Sequence, residues 1–436
     1  MNAVSGFPEW LPKQQMVFDQ WKNHASTLFQ SYGFWPIETP AVERLSTLLS
    51  KGDDHEIYEV VRHKADHTQN SGSSKKMGLR FDLTVPLARY VATHHGQLAF
   101  PFRRYHIGPV WRGERAQKGR YRQFYQCDID VIGRGRLAKQ YSGEMMGVMD
   151  ALVGRLDPGA VLGPLHWSVS HRGVLTCWAD RAGVVDVVAA LRWIDKRGKE
   201  TMDCIVQELS ALGARTSALD QLVEWSHMSG NCLDGFRRLD WGNEWHSALD
   251  DVDNSIRCAH LCSKTGHFVF DPLLARGLTY YSGMTYEATL PAHTGFGAVC
   301  AGGQYDHLTQ SVGGSGAFPG VGVSLGLSRL FSCFVDHGQR EILPATVLVT
   351  AQEPDRWACY MGIADRIRQS GVGVETYLEQ RPLSDQLKYA NSQGHRFAVM
   401  ANAQELDQGH AVVKNLSTRT QQSMPWADIP SYVTQC

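Results

Sequence analysis

No run in this chain approaches the roughly 18 consecutive apolar residues of a membrane-spanning helix, and the opening MNAVSGFPEWLP lacks the basic and apolar segments of a secretory signal. These absences predict a cytoplasmic protein with no membrane partner. Charge of one sign is missing too: 43 Lys and Arg face 44 Asp and Glu, so bulk electrostatics names no partner and any phosphate recognition must come from local patches. Paired cysteine spacing is absent among the 10 cysteines, which excludes a disulfide framework and suits reduced, mostly buried thiols. Cys258, His260 and Cys262 stand close together, but no second ligand pair accompanies them and no zinc is expected. The glycines of 295–303, with Gly313, Gly314 and Gly316, lack the Gly-x-Gly-x-x-Gly and Gly-Lys-Ser/Thr fingerprints in a βαβ setting. They read instead as places where backbone passes close beneath a ligand.

What is present is an ordinary folded composition, 43% hydrophobic and 20% charged, over 436 residues, a length that predicts two or three domains. Val17, Trp21, Ala25, Leu28 and Phe29 recur at helical spacing within residues 13–32, and Gly33 follows as a stop. Phe34 to Val42 is extended by its prolines and predicts an edge or interface strand. Residues 62–78 are polar and predict a surface loop. Leu79 to Thr84 alternates with period two, which predicts a strand with Arg80, Asp82 and Thr84 on one face, Thr84 then capping a helix with Pro86 in its first turn. Helical patterns fill most of 172–266. After Ile342-Leu343-Pro344, residues 345–436 alternate β and α, which predicts a small α/β domain with a mainly parallel sheet.

The segment 101–133 carries the most chemistry. A strand from Tyr105 to Trp111 and another from Tyr121 to Ile132 flank Gly113–Arg120, a connection too long and too charged for a tight hairpin, which predicts a loop projecting towards a ligand. Along the second strand Arg122, Phe124, Gln126, Asp128 and Asp130 share one face; Tyr125, Cys127, Ile129 and Val131 share the other. Asp82, Thr84, Gln126 and Asp130 suit a small cationic ligand such as an amino acid's ammonium group. Arg112, Arg115, Lys118, Arg120 and Arg122 suit phosphates and nucleic acid. Side by side they describe an amino acid meeting a nucleotide, with Arg112 and Arg276 as cations for a developing phosphoryl charge.

These stretches resemble the histidyl-tRNA synthetases, class II aminoacyl-tRNA synthetases, essentially from end to end. YHIGPVWRGERAQKGRYRQFYQCDIDVIG at 105–133 is similar to motif 2, and LRFDLTVPLARY at 79–90 to the family's strand and helix beneath the amino acid. ARGLTYYSGMTYE at 275–287 resembles the histidine-specific signature, AGGQYDHL at 301–308 the glycine-rich strand after it, and PGVGVSLGLSRL at 319–330 motif 3. YGFWPIETPAVE at 32–43 is similar to motif 1, which helps build the family's homodimer; 383–406 and 411–421 resemble the class IIa anticodon-binding domain.

The resemblance implies an α+β class II catalytic domain over residues 1–335, an antiparallel sheet flanked by helices with a helical insertion at about 185–262, and a C-terminal α/β anticodon-binding domain over 343–436. It implies ATP-dependent activation of L-histidine to histidyl-adenylate and transfer to tRNA(His), with ATP as substrate and Mg2+. Carried over by position, Arg112 would hold the α-phosphate and the histidine carboxylate, Glu114 would lie near the adenine amino group, and Phe124 and Arg329 would stack on the adenine's two faces. Asp82, Thr84 and Gln126 would hold the α-ammonium group, and Asp130 with Tyr281, beside Tyr280, would read the imidazole nitrogens. Arg276 would be the histidine-specific catalytic arginine. Arg115, Gln117 and Arg120 would meet the acceptor end of the tRNA, and the helical insertion would brace its stem. Two positions depart from the family: Thr279 stands where an acid is usual, and Gln304 where an arginine is usual. They keep open a paralogue repurposed for another acceptor. A non-catalytic histidine-sensing regulatory subunit is the other rival, although such relatives lack the C-terminal domain and the phosphate-binding arginines.

Overall fold

In the computed structural model, which describes residues 4–51, 57–61, 63, 76–228, 232–277, 281–337 and 345–435, the stripe of Val17, Trp21, Ala25, Leu28 and Phe29 is the buried side of α1 (Pro12–Ser31). Gly33, at φ +76°, follows the helix in the left-handed conformation that glycine adopts without strain. The chain divides into two compact units, Met1–Glu9 with Gln20–Gln339, and Trp10–Asp19 with Arg340–Cys436.

In the larger unit, β1 (Trp35–Pro36), β2 (Val42–Arg44), α2 (Leu45–Leu48), β3 (Glu59–Val60), β4 (Met77–Leu79) and α3 (Thr84–His94) precede the long strands β5 (Phe102–Trp111) and β6 (Gln123–Ile132). Next come α4 (Tyr141–Leu156), β7 (His166–His171) and the helices α5 (Arg172–Ala182), α6 (Val187–Ile194), α7 (Met202–Ala211), α8 (Thr216–His227), α9 (Leu233–Arg237) and α10 (Asn243–Cys262). β8 (His267–Phe270), β9 (Met284–Thr289), β10 (Ala298–Tyr305), α11 (Leu308–Ser311), β11 (Gly320–Gly326) and α12 (Leu327–His337) complete it. Eight strands form one sheet in the order β1-β5-β6-β11-β10-β9-β7-β8. Its six central strands pair antiparallel, and only the edge strands β1 and β8 are parallel to their neighbours. The predicted edge strand is thus the edge, with Trp35 72% exposed on it. α4 and α12 pack against β6, and α10 against α4 and β7. No helix among the described residues is long and apolar enough to cross a membrane.

The strand predicted over 79–84 is shorter than the alternation suggests. It ends at Leu79, because the Asp82 Oδ1 accepts the backbone N–H of Val85 at 2.9 Å and turns the chain into α3. Asp82, not Thr84, therefore supplies the capping oxygen, and Thr84 is the first helical residue. Arg80 leaves the shared face as well. Its guanidinium donates to the carbonyls of Thr39 at 2.5 Å and Pro109 at 2.9 Å, tying the segment around β1 to β5.

The smaller unit contains β12 (Val347–Thr350), α13 (Trp357–Gln369), β13 (Val374–Tyr377), α14 (Leu383–Gln393), β14 (Phe397–Met400), α15 (Ala403–Asp407), β15 (His410–Asn415), β16 (Gln421–Pro425) and α16 (Ile429–Gln435). Its sheet, β13-β12-β14-β15-β16, is mixed rather than mainly parallel: β12 is parallel to both its neighbours, but β14/β15 and β15/β16 are antiparallel. The cause is local. Asn415 Oδ1 accepts the backbone N–H groups of Ser417 and Thr418, and Arg419 takes φ +62°, closing a hairpin where a crossover helix would be needed for parallel pairing.

Candidate active site

The chemistry face of β6 lies as its alternation predicts. Asp130, Asp128 and Gln126 stand opposite Gly322, Ser324 and Gly326 of β11 and line, with Asp82, Thr84, Tyr281 and Tyr305, a cavity of about 270 Å³. Asp130 is fixed from two sides: the Tyr305 hydroxyl donates to its Oδ1 at 2.5 Å, and Arg104, wholly buried, places Nη2 2.5 Å from its Oδ2. Burial first, and then the Asp130 carboxylate, push the Tyr305 hydroxyl far above its ordinary range, so it remains a donor. A Cβ on Gly322 would meet Asp130 Oδ1 at 2.0 Å, so the carboxylate occupies space only a glycine leaves open. Gln126 donates through Nε2 to Ser324 Oγ at 2.8 Å, and its Oε1 is buried with no hydrogen-bond partner.

Beneath this floor, Asp128 faces His106 across the β5–β6 pair. Burial pushes the Asp128 carboxyl up to about 7, with Asp130 and Asp82 adding to the rise and Arg104 and Ser324 opposing it. Burial, Arg104 and Arg80 push His106 down to about 3, so it is neutral. The folded-state value of Asp128 lies above its ordinary 3.8, so its stabilising contribution is complete below 3.8 and is lost as pH rises to about 7. Asp128→Asn is therefore expected to melt higher than the wild type at about pH 8, by the equivalent of a few kcal/mol, with much of the gap closed at about pH 5. Thermal unfolding at the two pH values checks this, and an equal gain at both would contradict it.

A second cavity, of about 310 Å³, adjoins the first, and Arg112, Gln126, Ala301 and Ser324 line both. The Arg112 guanidinium sits 5.1 Å from the centroid of the Phe124 ring and donates through Nε to the Phe81 carbonyl at 3.0 Å. Arg329, from α12, donates through Nε to the Gly119 carbonyl at 3.0 Å and also to the Ala298 carbonyl. Burial, Arg120 and Arg112 hold its pKa below the usual arginine value. Four arginines, Arg112, Arg120, Arg276 and Arg329, thus face one cavity whose lining carboxylates are Glu114 and Glu287, a surplus suited to a polyphosphate.

The charged loop before β6 folds back on this cavity. Gln117 and Arg120 exchange backbone hydrogen bonds at 3.0 and 2.9 Å, and Gly119, at φ +68°, has no room for a Cβ beside Phe296. Arg115, Gln117 and Arg120 are all exposed; Arg120 in addition pairs with Glu114 and lines the cavity, closer to the nucleotide side than a pure tRNA contact would be. Among the described residues, His293, Cys333 and His337 are grouped closely enough to hold a metal; their imidazoles already bond the carbonyls of Val161 and Cys333. Cys258, His260 and Cys262 all lie on α10.

The model of the family described as Histidyl-tRNA synthetase matches residues 6–330, and that of the Anticodon binding domain matches residues 347–435. The chain belongs to the histidyl-tRNA synthetase family. The histidine–tRNA ligase of Rhodopirellula baltica is 36% identical to it over 435 residues, 98% of this chain and 96% of that protein. The crystal structure of histidyl-tRNA synthetase from Nostoc sp. PCC 7120 has a TM-score of 0.85 at 30% identity, covering 100% of this chain and 99% of that one. An ATP phosphoribosyltransferase regulatory subunit/histidyl-tRNA synthetase from Bacillus halodurans has a TM-score of 0.73 at 19% identity over 92% of this chain and 99% of that one, a likeness of fold alone.

Of the residues that the family resemblance nominates, Asp82, Thr84, Gln126, Asp130 and Tyr281 come together around the smaller cavity, and Arg112, Glu114, Phe124, Arg276 and Arg329 around the larger. Thr279 and Tyr280 lie outside the described residues. Gln304 donates to Asp306 Oδ1 at 3.3 Å rather than lining either cavity. Sequence reasoning missed Tyr305, Arg104, Ser324, Glu287 and Asp195. Tyr305 stands within the AGGQYDHL stretch of the histidyl-tRNA synthetase resemblance, and Arg104 alternates with His106 on β5; both signals needed the strand register to be read.

Proposed function

We propose that this protein activates L-histidine with ATP to histidyl-adenylate and transfers the histidyl group to tRNA(His). The observation that carries the reading is the junction of two cavities at Arg112 and Gln126, one lined by carboxylates, an amide and tyrosines, the other by four arginines. Adenylation needs this juxtaposition: a carboxylate must attack the α-phosphate, and charge building on the phosphoryl oxygens needs cations already aimed at it.

In this reading Asp82, Thr84 and Gln126 take the α-ammonium group, the orphan Oε1 of Gln126 being the acceptor nearest in kind. Asp130, Tyr281 and Tyr280 read the imidazole, so a side chain without two ring nitrogens leaves buried groups unpaired and is rejected by on the order of 10⁴-fold. Arg112 and Arg276 face the α-phosphate. Phe124 and Arg329 sandwich the adenine, with Glu114 at its amino group. ATP arrives as its Mg2+ complex, and Glu114 and Glu287 are the carboxylates on that side. Arg115, Gln117 and Arg120, all exposed, meet the tRNA acceptor end. Catalysis belongs to residues 1–335, with the insertion at about 185–262 bracing the stem, and anticodon recognition to 343–436. The edge strand β1, with Trp35 on it, supports a homodimer of the motif 1 kind, and a role in protein synthesis supports a cytoplasmic location.

A histidine-sensing regulatory subunit has no use for the four-arginine cavity, and a paralogue serving another acceptor has none for a domain matched to anticodon binding. Amino-acid-dependent pyrophosphate exchange with each of the twenty amino acids tests the assignment. Exchange with histidine alone is expected. Silence with histidine, or equal exchange with another amino acid, would overturn it.

A further inference from the structure

Arg276 is held by carboxylates from two different elements. Its Nε donates to Oε2 of Glu287, on β9, at 2.8 Å, and its Nη1 lies 3.3 Å from Oδ1 of Asp195, the capping residue just after α6. Arg197, two residues on, pairs with Asp271, whose other oxygen accepts the backbone N–H of Leu273 at 3.0 Å. The turn after α6 is thus fastened to the segment 271–276 by two ion pairs of opposite polarity, Asp195 supplying the negative partner of one and Arg197 the positive partner of the other. Sliding the turn by two residues would oppose like charges, so the two pairs together specify one register.

We propose that Asp195 is a positioning residue for the reaction: it fixes the direction in which Arg276 presents its free donors and makes that direction depend on the placement of the helices α6 to α10. The inference rests on the assignment of Arg276 to the phosphoryl charge. A guanidinium carries five N–H donors in one rigid plane. With Nε committed to Glu287 and Nη1 to Asp195, both the position of the plane and its rotation are set, and the donors not engaged by these carboxylates are left for the ligand. Glu287 alone leaves rotation about its single contact open. Burial raises the Asp195 carboxyl above its ordinary range, with Glu287 adding to the rise, while Arg276 and Lys199 oppose it. The same contact gives the helical insertion a direct line to the reaction centre: a partner that shifts α6, such as an RNA stem, shifts Arg276 with it.

The test is a double-mutant cycle in the full-length protein, read by histidine-dependent pyrophosphate exchange, using Asp195→Ala, the isosteric Asp195→Asn, Asp195→Glu and Arg276→Ala. Removing the carboxylate is expected to lower kcat by on the order of tenfold to hundredfold while the KM values for ATP and histidine stay within about threefold, since orientation rather than ground-state binding is lost. Asp195→Glu recovers part of the rate. In the Arg276→Ala background, Asp195→Asn has no further effect, whereas a merely structural role would cost the same in both backgrounds. Unchanged kcat in Asp195→Ala and Asp195→Asn, beside a crippled Arg276→Ala, overturns the positioning role alone. Full activity in Arg276→Ala overturns both the assignment of Arg276 and the inference built on it.

Discussion

Arg112→Ala is expected to lower histidine-dependent pyrophosphate exchange by on the order of 10³-fold, the largest loss from any single side chain in the site. Arg112 is the cation common to both cavities, held by its Nε on the Phe81 carbonyl at 3.0 Å and by its contact with the Phe124 ring. In the proposed reading, alanine removes the donors facing the bond that forms between carboxylate and phosphate, together with the wall shared by the two cavities. Arg112→Lys should recover little, because a point charge on a flexible stem cannot present the same fixed plane. Exchange rates at saturating ATP and histidine, with melting curves to show that each variant folds, make the comparison. A loss smaller than about tenfold would contradict the role.

Gly322→Ala is expected to cost histidine affinity by at least on the order of a hundredfold with ATP binding little changed. The added Cβ would stand 2.0 Å from Asp130 Oδ1 and 3.1 Å from the Ile129 carbonyl, and neither can give way cheaply. The carboxylate is bonded to Tyr305 and Arg104, and the carbonyl belongs to a central strand. Displacing the carboxylate strands a buried arginine and removes the proposed recognition point for the ring nitrogens, a loss of roughly 3 kcal/mol or more by the usual cost of breaking a buried pair. Gly322 lines the smaller cavity but not the larger, so the effect divides between ligands. Calorimetric titration with each ligand measures this, and equal losses for histidine and ATP would contradict the division of the site.

Much of this site was legible in the sequence, because its central strand is self-declaring. The alternation of Phe124, Gln126, Asp128 and Asp130 with Tyr125, Cys127, Ile129 and Val131 requires one polar face, whatever lies across it. What was not legible is what lies across it. Tyr305 reaches Asp130 over 175 residues of chain, and Arg104 reaches it only through the β5–β6 register, neither of which has a local signature. Asp195 sits in a stretch that reads simply as helical, and its contact with Arg276 depends on the turn after α6. The misjudged strand at 79–84 has the opposite cause. There a local interaction, the Asp82 cap, overrode a pattern that six residues are too few to enforce. In the C-terminal unit the first three strands were visible as apolar runs, while the antiparallel return of β15 and β16 followed from the turn at Asn415.

The most direct measurement of the central claim is aminoacylation of purified tRNA(His) by the full-length protein with ATP and each amino acid in turn. The account requires charging of tRNA(His) with histidine, abolished in Arg112→Ala. Histidine-dependent pyrophosphate exchange without any charging of tRNA(His) would contradict it.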